Sequence, residues 1–345
     1  MARLRCAAGR ILRLGALLVA CAPLLLAAHA RAHPRVDDRL DGVNVSGTET
    51  ACVDGPALPP GQAALVAALR TWPIQAVRVP LNEDCWLGIN GVATGGEDYR
   101  AVVRDYVRGL ERDYVVVLEL HWSAPGSARA SAQQRMPDAD HSIAFWASVA
   151  SEFRADRWVL FEPFNEPDPP SWACWRDGCE MRSHYERQNY GRPVRGAWQA
   201  AGMAELVAAI RSAGAGQPIL LDGAGRGNDL SGWSAYAPRD PALIAAWHLY
   251  PGYPCADTAC WRSTVDGLGR QRVLATEVGE ADDDCSAHFV ADLVPWLEGR
   301  GIGYLAWSFN PWATCSYGVL ADDTGTPAPG YGRWMFDHLT GEAPA

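Results

Sequence analysis

The chain has 345 residues, of which 48% are hydrophobic and 20% charged, a composition that can bury a large core and argues against intrinsic disorder. Its formal net charge is −10, which argues against nucleic acid and anionic membranes as partners and favours a neutral substrate. All 30 basic residues are arginine, so lysine Schiff-base chemistry and a P-loop lysine are excluded.

The first thirty residues have the pattern of an export signal. Four arginines between Arg3 and Arg13 precede an apolar run, Leu14–Ala28, and two small-x-small sequences place cleavage near residues 30–32. We therefore expect a signal peptide over 1–30, a single mature domain over 33–345, and secretion. The apolar run is too short to predict stable membrane insertion. A lipid anchor through Cys21 is the alternative, because Leu18–Cys21 resembles a lipoprotein cleavage box.

Beyond the signal, short β-branched runs alternate with amphipathic helical stretches, which is typical of a parallel α/β sheet. Eight predicted strands at even spacing favour one closed (β/α)8, or TIM, barrel. The predicted strands are Gly42–Ser46, Ala76–Pro80, Val115–His121, Val159–Pro163, Ile219–Asp222, Ile244–Tyr250, Val273–Glu277 and Gly303–Ser308. Predicted helices between them include Gln62–Arg70, Tyr99–Arg112, Ile143–Phe153, Met203–Ala213 and Ala287–Leu297. The stretch from Pro167 to Arg195 is expected to be a long irregular loop.

Eight cysteines follow the signal, and an even number in an exported chain indicates disulfides. Each follows a predicted strand, so all eight belong on the C-terminal face of the barrel. Pairing between neighbouring or within single loops predicts Cys52–Cys85, Cys174–Cys179, Cys255–Cys260 and Cys285–Cys315. Metal ligation by the two C-x4-C pairs is the alternative.

Polar and aromatic residues cluster at the predicted strand ends, where barrel enzymes carry their reactive groups. They are Arg78, His121, Asn165, Glu166, His248, Tyr250, Glu277 and Trp307. Two carboxyl groups facing each other across the mouth suit glycosidic bond cleavage. We expect Glu166 to be the acid/base, with a raised pKa, and Glu277 to be the nucleophile, with a low pKa.

The residues around these two acids also have predicted roles in sugar chemistry. The amide of Asn165 is placed to bond a sugar 2-hydroxyl, and Arg78 and Tyr250 are placed to keep Glu277 ionised and oriented.

These motifs resemble glycoside hydrolase family 5, the cellulase-type family. Asn165-Glu166-Pro167 after an apolar strand resembles its acid/base motif, and Glu277 in Ala-Thr-Glu-Val-Gly resembles its nucleophile strand. The family's other signature positions are matched by Arg78, His121, His248, Tyr250 and Trp307, in order, across about residues 40–340. The resemblance implies a TIM barrel, a retaining double displacement, no cofactor and no metal.

The substrate implied is a β-linked oligo- or polysaccharide. An endo-acting β-1,4-glucanase is our first expectation, and a β-mannanase or another β-glycan hydrolase of the same family is the alternative. Indole rings stack on sugars, so loop tryptophans are candidate substrate contacts. Trp122 and Trp312 are favoured; the others are Trp86, Trp172, Trp175, Trp233 and Trp261. We expect a monomer.

Several other acidic residues are less strongly indicated as members of the site. Glu162 can support Glu166 from below, Glu119 is expected to face the barrel interior, and Glu280 is expected in a loop. Glu49 is a weaker candidate for a substrate hydroxyl contact. The run Asp282–Asp284 can bind calcium, although acidic loops are usually only solvated.

Two other classes of function stay open from sequence. A divalent metal held by His121, Glu166, His248 and Glu277 would make a metal-dependent barrel enzyme. A glycan-binding barrel without turnover is the non-catalytic reading.

Overall fold

The structure, a computed structural model, describes residues 35, 38–59, 61–182, 196–280, 285–312 and 317–342. Eight parallel strands close into a barrel in which spatial order follows chain order, and the first strand pairs with both the second and the eighth. The strands are Asp41–Asn44, Ala76–Asn82, Val115–Trp122, Val159–Glu162, Ile219–Asp222, Leu243–Leu249, Val273–Val278 and Gly303–Ala306. All eight overlap their predicted spans, so the predicted TIM barrel is confirmed.

Helices occupy the segments between the barrel strands, and the five predicted from periodicity are confirmed. They are Thr48–Asp54, Gln62–Leu69, Glu83–Leu87, Glu97–Leu110, Ser142–Phe153, Trp172–Asp177, Met203–Ser212, Trp233–Tyr236, Thr258–Leu268, His288–Glu298 and Tyr331–Thr340. The stretch predicted to be irregular from Pro167 was misjudged, because it contains the helix Trp172–Asp177. A small antiparallel sheet follows, formed by Glu180–Arg182 and Ala197–Gln199.

Strand alternation explains how the barrel interior changes from apolar to polar. On the third strand Val115 and Val117 belong to the apolar cluster that fills the barrel, whereas Val116 and Leu118 belong to the core beneath the helices. A step of two residues from Val117 gives Glu119 and then His121 on the interior side. The same parity leads inward to Asn44, Arg78, Glu162, Asp222 and His248 on other strands. The C-terminal half of the interior is therefore lined by polar and charged side chains.

Three of the four predicted disulfides are present. Cys52–Cys85 joins the helices that follow the first and second strands, and Cys174–Cys179 and Cys255–Cys260 close short segments after the fourth and sixth. The alternative of metal ligation by the two C-x4-C pairs is therefore wrong. Cys285 is also disulfide-bonded. Its predicted partner Cys315 lies outside the described residues, so that pairing stays a prediction.

The predictions about export concern residues that the structure does not describe. The signal peptide, the lipid anchor at Cys21 and the Asp282–Asp284 calcium site all lie outside the described residues. Within the described part of the chain, no helix is both long enough and apolar enough to cross a lipid bilayer.

Gly42 offers a test of barrel closure. A Cβ atom at Gly42 would lie 2.0 Å from the backbone oxygen of Ala76 on the neighbouring strand, so Gly42→Ala forces the two strands apart. We expect it to lower the free energy of unfolding by at least about 1–3 kcal/mol, measured by denaturant titration. Gly109→Ala is the control, because a Cβ there meets nothing within 4 Å and alanine favours the helix by roughly 0.5–1 kcal/mol. Equal stability of the two variants would contradict this account of the strand contact.

Candidate active site

A fully buried arginine forms the floor of the site. Arg78, on the second strand, donates from Nε and Nη2 to the two oxygens of Glu162, at 2.8 and 2.9 Å. Its remaining N–H groups donate to Asn44 at 2.9 Å, Glu277 at 2.7 Å and Asn165 at 2.7 Å. All five donors of the guanidinium therefore have acceptors. The arginine connects its own second strand to the first, fourth and seventh strands or their ends.

Glu277 is held at both of its oxygens. Oε1 accepts from Arg78, and Oε2 accepts from the Tyr250 hydroxyl at 2.8 Å. Its side chain is only 5% exposed. The predicted roles of Arg78 and Tyr250 as partners of Glu277 agree with these contacts, and the carboxyl plane is fixed.

Glu166 has a constrained backbone and a side chain that several groups contact. Its φ is +50°, in the left-handed region that non-glycine residues rarely adopt. The backbone N–H donates to Asp222 Oδ2 at 2.8 Å. Oε1 accepts from Tyr253 at 3.0 Å and contacts His248 Nδ1 at 3.2 Å, and Oε2 accepts from Gln133 at 3.4 Å.

His248 lies between the two carboxyl groups. Its Nδ1 is 3.2 Å from Glu166 Oε1 and 3.6 Å from Glu277 Oε2, and its Nε2 faces Thr276 at 3.1 Å and Asp222 at 3.3 Å. Burial lowers the pKa of His248, but the charges of Glu277 and Asp222 outweigh it and raise that pKa well above its ordinary value. Both ring nitrogens face oxygens, which suits a protonated imidazolium.

The pKa directions of the two acids are opposite to those expected from sequence. Burial raises the pKa of Glu277, and the positive charges of His248 and Arg78 offset this only in part. Burial also raises the pKa of Glu166, but the hydrogen bond and charge of His248, with Tyr253, outweigh it and lower that pKa. The expectation of a raised pKa for Glu166 and a low pKa for Glu277 is therefore wrong for the enzyme without substrate. The reason is that the His248 imidazolium contacts Glu166 directly.

His121 stands beside the two acids on the third strand. Its Nδ1 lies 2.6 Å from Glu119 Oε1, and its ring stacks on Trp307 with the ring planes 12° apart. Burial lowers the pKa of His121, but Glu119, Glu49 and Glu277 outweigh it and raise the pKa to about 9. Glu119 thus faces the interior as predicted, and its partner carries a positive charge at neutral pH.

These groups surround an open cleft of about 320 Å³ at the C-terminal face. Of the eight residues predicted at the strand ends, six line the cleft, and the other two, Arg78 and His248, are fully buried beneath it. The lining residues are His121, Gln133, Asn165, Glu166, Arg226, Tyr250, Pro251, Tyr253, Glu277, Trp307 and Tyr317.

Sequence reasoning missed several residues of the cleft. Gln133 accepts from the Asn165 amide at 3.1 Å and also contacts Glu166, and Tyr253 donates to Glu166. Both come from segments between elements, where no strand end marks them. Tyr253 follows Tyr250 at a spacing of three, which is the only sequence signal that would have found it.

Four of the seven tryptophans considered as substrate contacts are buried in the core. Trp86, Trp175, Trp233 and Trp261 are at most 3% exposed and belong to the core. Trp122 and Trp172 are half-buried, pack against that core and do not line the cleft. Trp312 is 37% exposed, and its ring centroid lies 6.1 Å from that of Trp307.

The remaining acids are occupied by local partners. Glu49 accepts from Ser46 and the Gly47 amide and does not line the cleft, so the substrate contact considered for it is not supported. Glu162, considered as a support for Glu166, accepts from the Arg78 guanidinium with both oxygens. Glu280 lies in its expected loop but is buried and accepts from the Val290 amide.

One oxygen each of Glu166 and Glu277 and one nitrogen of His248 lie within 4.8 Å of one another, close enough to hold a metal ion. However, Arg78 and Tyr250 already donate to Glu277, and the imidazolium faces both acids. The lone pairs that a cation would need are therefore matched by protons, which disfavours the metal-dependent alternative.

Comparisons with known proteins identify the family. A family model described as cellulase, glycosyl hydrolase family 5, matches residues 36–312. The chain belongs to this family. It is therefore a glycoside hydrolase, as the motifs at the strand ends indicated. A search of curated proteins finds no match.

Solved structures share the fold at low identity. The Thermobifida fusca endoglucanase Cel5A catalytic domain is 16% identical, with a TM-score of 0.58 over 88% of this chain and 92% of that one. XacCel5A in complex with cellopentaose is 17% identical, with a TM-score of 0.60 over 88% and 99%. The catalytic domain of a mannanase from Streptomyces sp. SirexAA-E is 18% identical, with a TM-score of 0.61 over 89% and 88%.

The raised pKa of His121 predicts a pH dependence of stability. A folded-state pKa of about 9 against an ordinary 6.5 means that the His121–Glu119 pair stabilises the fold fully below pH 6.5 and loses this effect as the pH rises through 9. We expect the difference in Tm between the native chain and His121→Asn to be largest at pH 6 and to shrink at pH 9.5. Thermal unfolding followed by circular dichroism measures it. A difference that does not change with pH would show that this imidazole does not titrate with folding.

Proposed function

We propose that this glycoside hydrolase is a retaining endo-β-1,4-glucanase that uses Glu277 as nucleophile and Glu166 as acid/base. The observation that carries the proposal is the pair of carboxyl groups, one presented rigidly and one facing the cleft, with oxygens within 4.8 Å of each other.

The spacing of the two acids supports retention. Retaining glycosidases hold their two carboxyl groups at about 5–5.5 Å, whereas inverting enzymes leave about 6.5–9.5 Å for a water molecule. Facing oxygens of Glu166 and Glu277 lie within 4.8 Å of each other, which is closer to the retaining spacing than to the inverting one. Direct attack on the anomeric carbon is therefore favoured.

The contacts of each acid support the division of roles. Arg78 and Tyr250 orient Glu277 and stabilise its negative charge, as a nucleophile requires. Glu166 lies on the cleft side with its backbone fixed and can give a proton to the leaving oxygen and later take one from water. The productive form carries the proton on Glu166 and the charge on Glu277. Because the pKa of Glu166 is lowered, we expect activity to be highest at acidic pH.

Aromatic side chains at the rim support a chain-like substrate. Trp307 faces the cleft, Trp312 lies beside it, and Tyr317 is 41% exposed next to Tyr250. Flat rings at successive positions suit stacking on successive sugars of a β-linked chain. The similarity to cellulase structures favours glucan, and mannan is the alternative that the mannanase neighbour keeps open.

We also propose that the protein is secreted and acts as a monomer. The disulfides support an oxidising compartment, and the basic and apolar N-terminal sequence supports export of a mature domain beginning near residue 33.

The proposal is tested with variants of the two acids. Glu277→Gln should reduce kcat by roughly 10⁴-fold or more, and Glu166→Gln by about 10²–10⁴-fold, on the polysaccharide substrate. Glu180→Gln, an exposed acid in the small antiparallel sheet, is the matched control and should keep full activity. Assays on β-glucan, carboxymethylcellulose, mannan and xylan, with the first product anomer followed by NMR, identify substrate and stereochemistry.

Each part of the proposal has its own contrary result. First formation of the α-anomer would show inversion, and mannan as the preferred polymer would replace the glucanase assignment. Turnover that survives both substitutions would place the chemistry elsewhere, and binding to every polymer without turnover by the native chain would support the non-catalytic reading. With added azide, the Glu277→Ala variant should convert an activated aryl β-glycoside to the inverted α-glycosyl azide and release the phenolate.

His248 predicts a shift of the pH profile. The His248 imidazolium lowers the pKa of Glu166 and limits the increase in the pKa of Glu277. His248→Asn should therefore raise the pKa values of both acids. Protonated Glu166 is lost as pH rises through its pKa, and ionised Glu277 is lost as pH falls through its own. Both limbs of the kcat/KM profile should therefore move to higher pH. An unmoved profile would show that His248 carries no charge in the free enzyme.

A further inference from the structure

Asp222, at the end of the fifth barrel strand, contacts the proposed acid/base from below. The strand Ile219–Asp222 is fully buried, and Asp222 is 1% exposed. It lines no part of the cleft, so it cannot touch a sugar. Neither the sequence motifs nor the mechanism above assigns it a role.

Asp222 controls Glu166 at two points. Oδ2 accepts the backbone N–H of Glu166 at 2.8 Å, at the one residue of the Asn-Glu-Pro motif that adopts a left-handed φ. The same oxygen lies 3.3 Å from His248 Nε2, and the opposite nitrogen of that ring contacts the Glu166 carboxyl at 3.2 Å. The main chain and the side chain of Glu166 are thus both held from one carboxyl group.

This arrangement has an energetic reason. A non-glycine residue at positive φ is disfavoured and persists only where its surroundings enforce it. Gln133 contacts the Glu166 carbonyl oxygen at 3.4 Å, a long contact, whereas the Asp222 bond is short and buried. Asp222 is therefore the stronger of the two groups that hold the Glu166 peptide.

The contacts of Asp222 are made through one oxygen. Burial and the neighbouring Glu162 raise the pKa of Asp222 well above its ordinary value. Its Oδ1 is buried and has no hydrogen-bond partner. The Glu166 amide and the His248 ring are therefore both contacted by Oδ2.

We propose that Asp222 is the positioning residue of the acid/base: it fixes the strained Glu166 peptide and, through His248, the direction of the Glu166 carboxyl group. The inference rests on the proposed role of Glu166. Asp222 takes no part in bond making; it sets where the proton of Glu166 points when the leaving oxygen departs.

Substrates with different leaving groups separate a loss of acid catalysis from a general loss of stability. A loss of stability lowers kcat/KM equally for both substrates. Departure of 2,4-dinitrophenolate needs no proton, whereas departure of phenolate does, and kcat/KM reports this first step. Asp222→Ala should lower kcat/KM for phenyl β-cellobioside by about 10²-fold and for 2,4-dinitrophenyl β-cellobioside by less than about 3-fold. Asp222→Asn keeps an acceptor for the Glu166 amide at the same position, so it should restore most of the lost activity.

Two controls separate the possible failures. Asp41→Ala removes a buried acid at the opposite end of the barrel, where it pairs with Arg39, and should leave the ratio of the two substrates unchanged even if Tm falls. Glu166→Ala should show the same preference for the activated substrate as Asp222→Ala. If Glu166→Ala shows no such preference, the proposed function fails.

If Glu166→Ala shows the preference but Asp222→Ala loses activity equally on both substrates, the role of Asp222 is structural and the proposal is overturned. If Asp222→Asn is as impaired as Asp222→Ala, the acceptor for the Glu166 amide does not position the acid/base, and the proposal is overturned. Should Asp222→Ala fail to fold, the Asp222→Asn and Asp222→Leu variants, compared on the same pair of substrates, decide between these outcomes.

Discussion

The guanidinium of Arg78 is the interaction on which the rest of the site depends. It uses all five N–H donors on Glu162, Asn44, Asn165 and Glu277, with no exposure to solvent. A buried cation is stable only when its donors are matched with good geometry, and removal of either partner leaves an uncompensated charge. The planar fork of arginine can satisfy several partners at once, which a lysine could not. One side chain therefore orients both the Glu277 carboxyl group and the Asn165 amide that precedes Glu166.

The floor of the site contains more acids than bases. Glu119, Glu162, Asp222 and Glu277 are all at most 4% exposed, and they face Arg78, His121 and His248. Water cannot screen these charges, so protons are distributed to reduce repulsion between neighbouring carboxyl groups. The two histidines take part in this distribution because their pKa values are raised by the surrounding acids. The pKa of one acid consequently cannot be assigned from its role in the reaction alone.

The fold and the two cleft acids could be predicted from sequence because both depend on short-range patterns. On the strand Val115–Trp122, apolar residues give way near the strand end to polar residues at every second position, and Glu166 and Glu277 likewise lie where an apolar strand ends. The parity that carries Val115 and Val117 inward also leads to Glu119 and His121. Asp222 obeys the same parity, and its position at a strand end could have identified it.

Other features could not be predicted because they depend on how segments distant in sequence meet. Gln133 lies in an irregular segment that has no hydrophobic periodicity, and it contacts Asn165 and Glu166 more than thirty residues away. Trp175 was misjudged because an indole serves equally well in a core, where its N–H donates to the Asp222 carbonyl. The pKa directions failed because they depend on the placement of His248, which sequence does not supply.

Barrel closure is long-range in sequence, and this has a consequence for the newly made chain. The Arg78–Glu277 bond joins residues 199 positions apart, and Asn44 donates to carbonyl oxygens 261 and 262 positions away on the last strand. Contacts of such separation form only after the intervening chain is present. A growing polypeptide therefore has neither the closed barrel nor the aligned acids until its eighth strand is complete. The nascent chain therefore cannot hydrolyse glycans until then, because the residues of the active site are brought together only when the barrel closes.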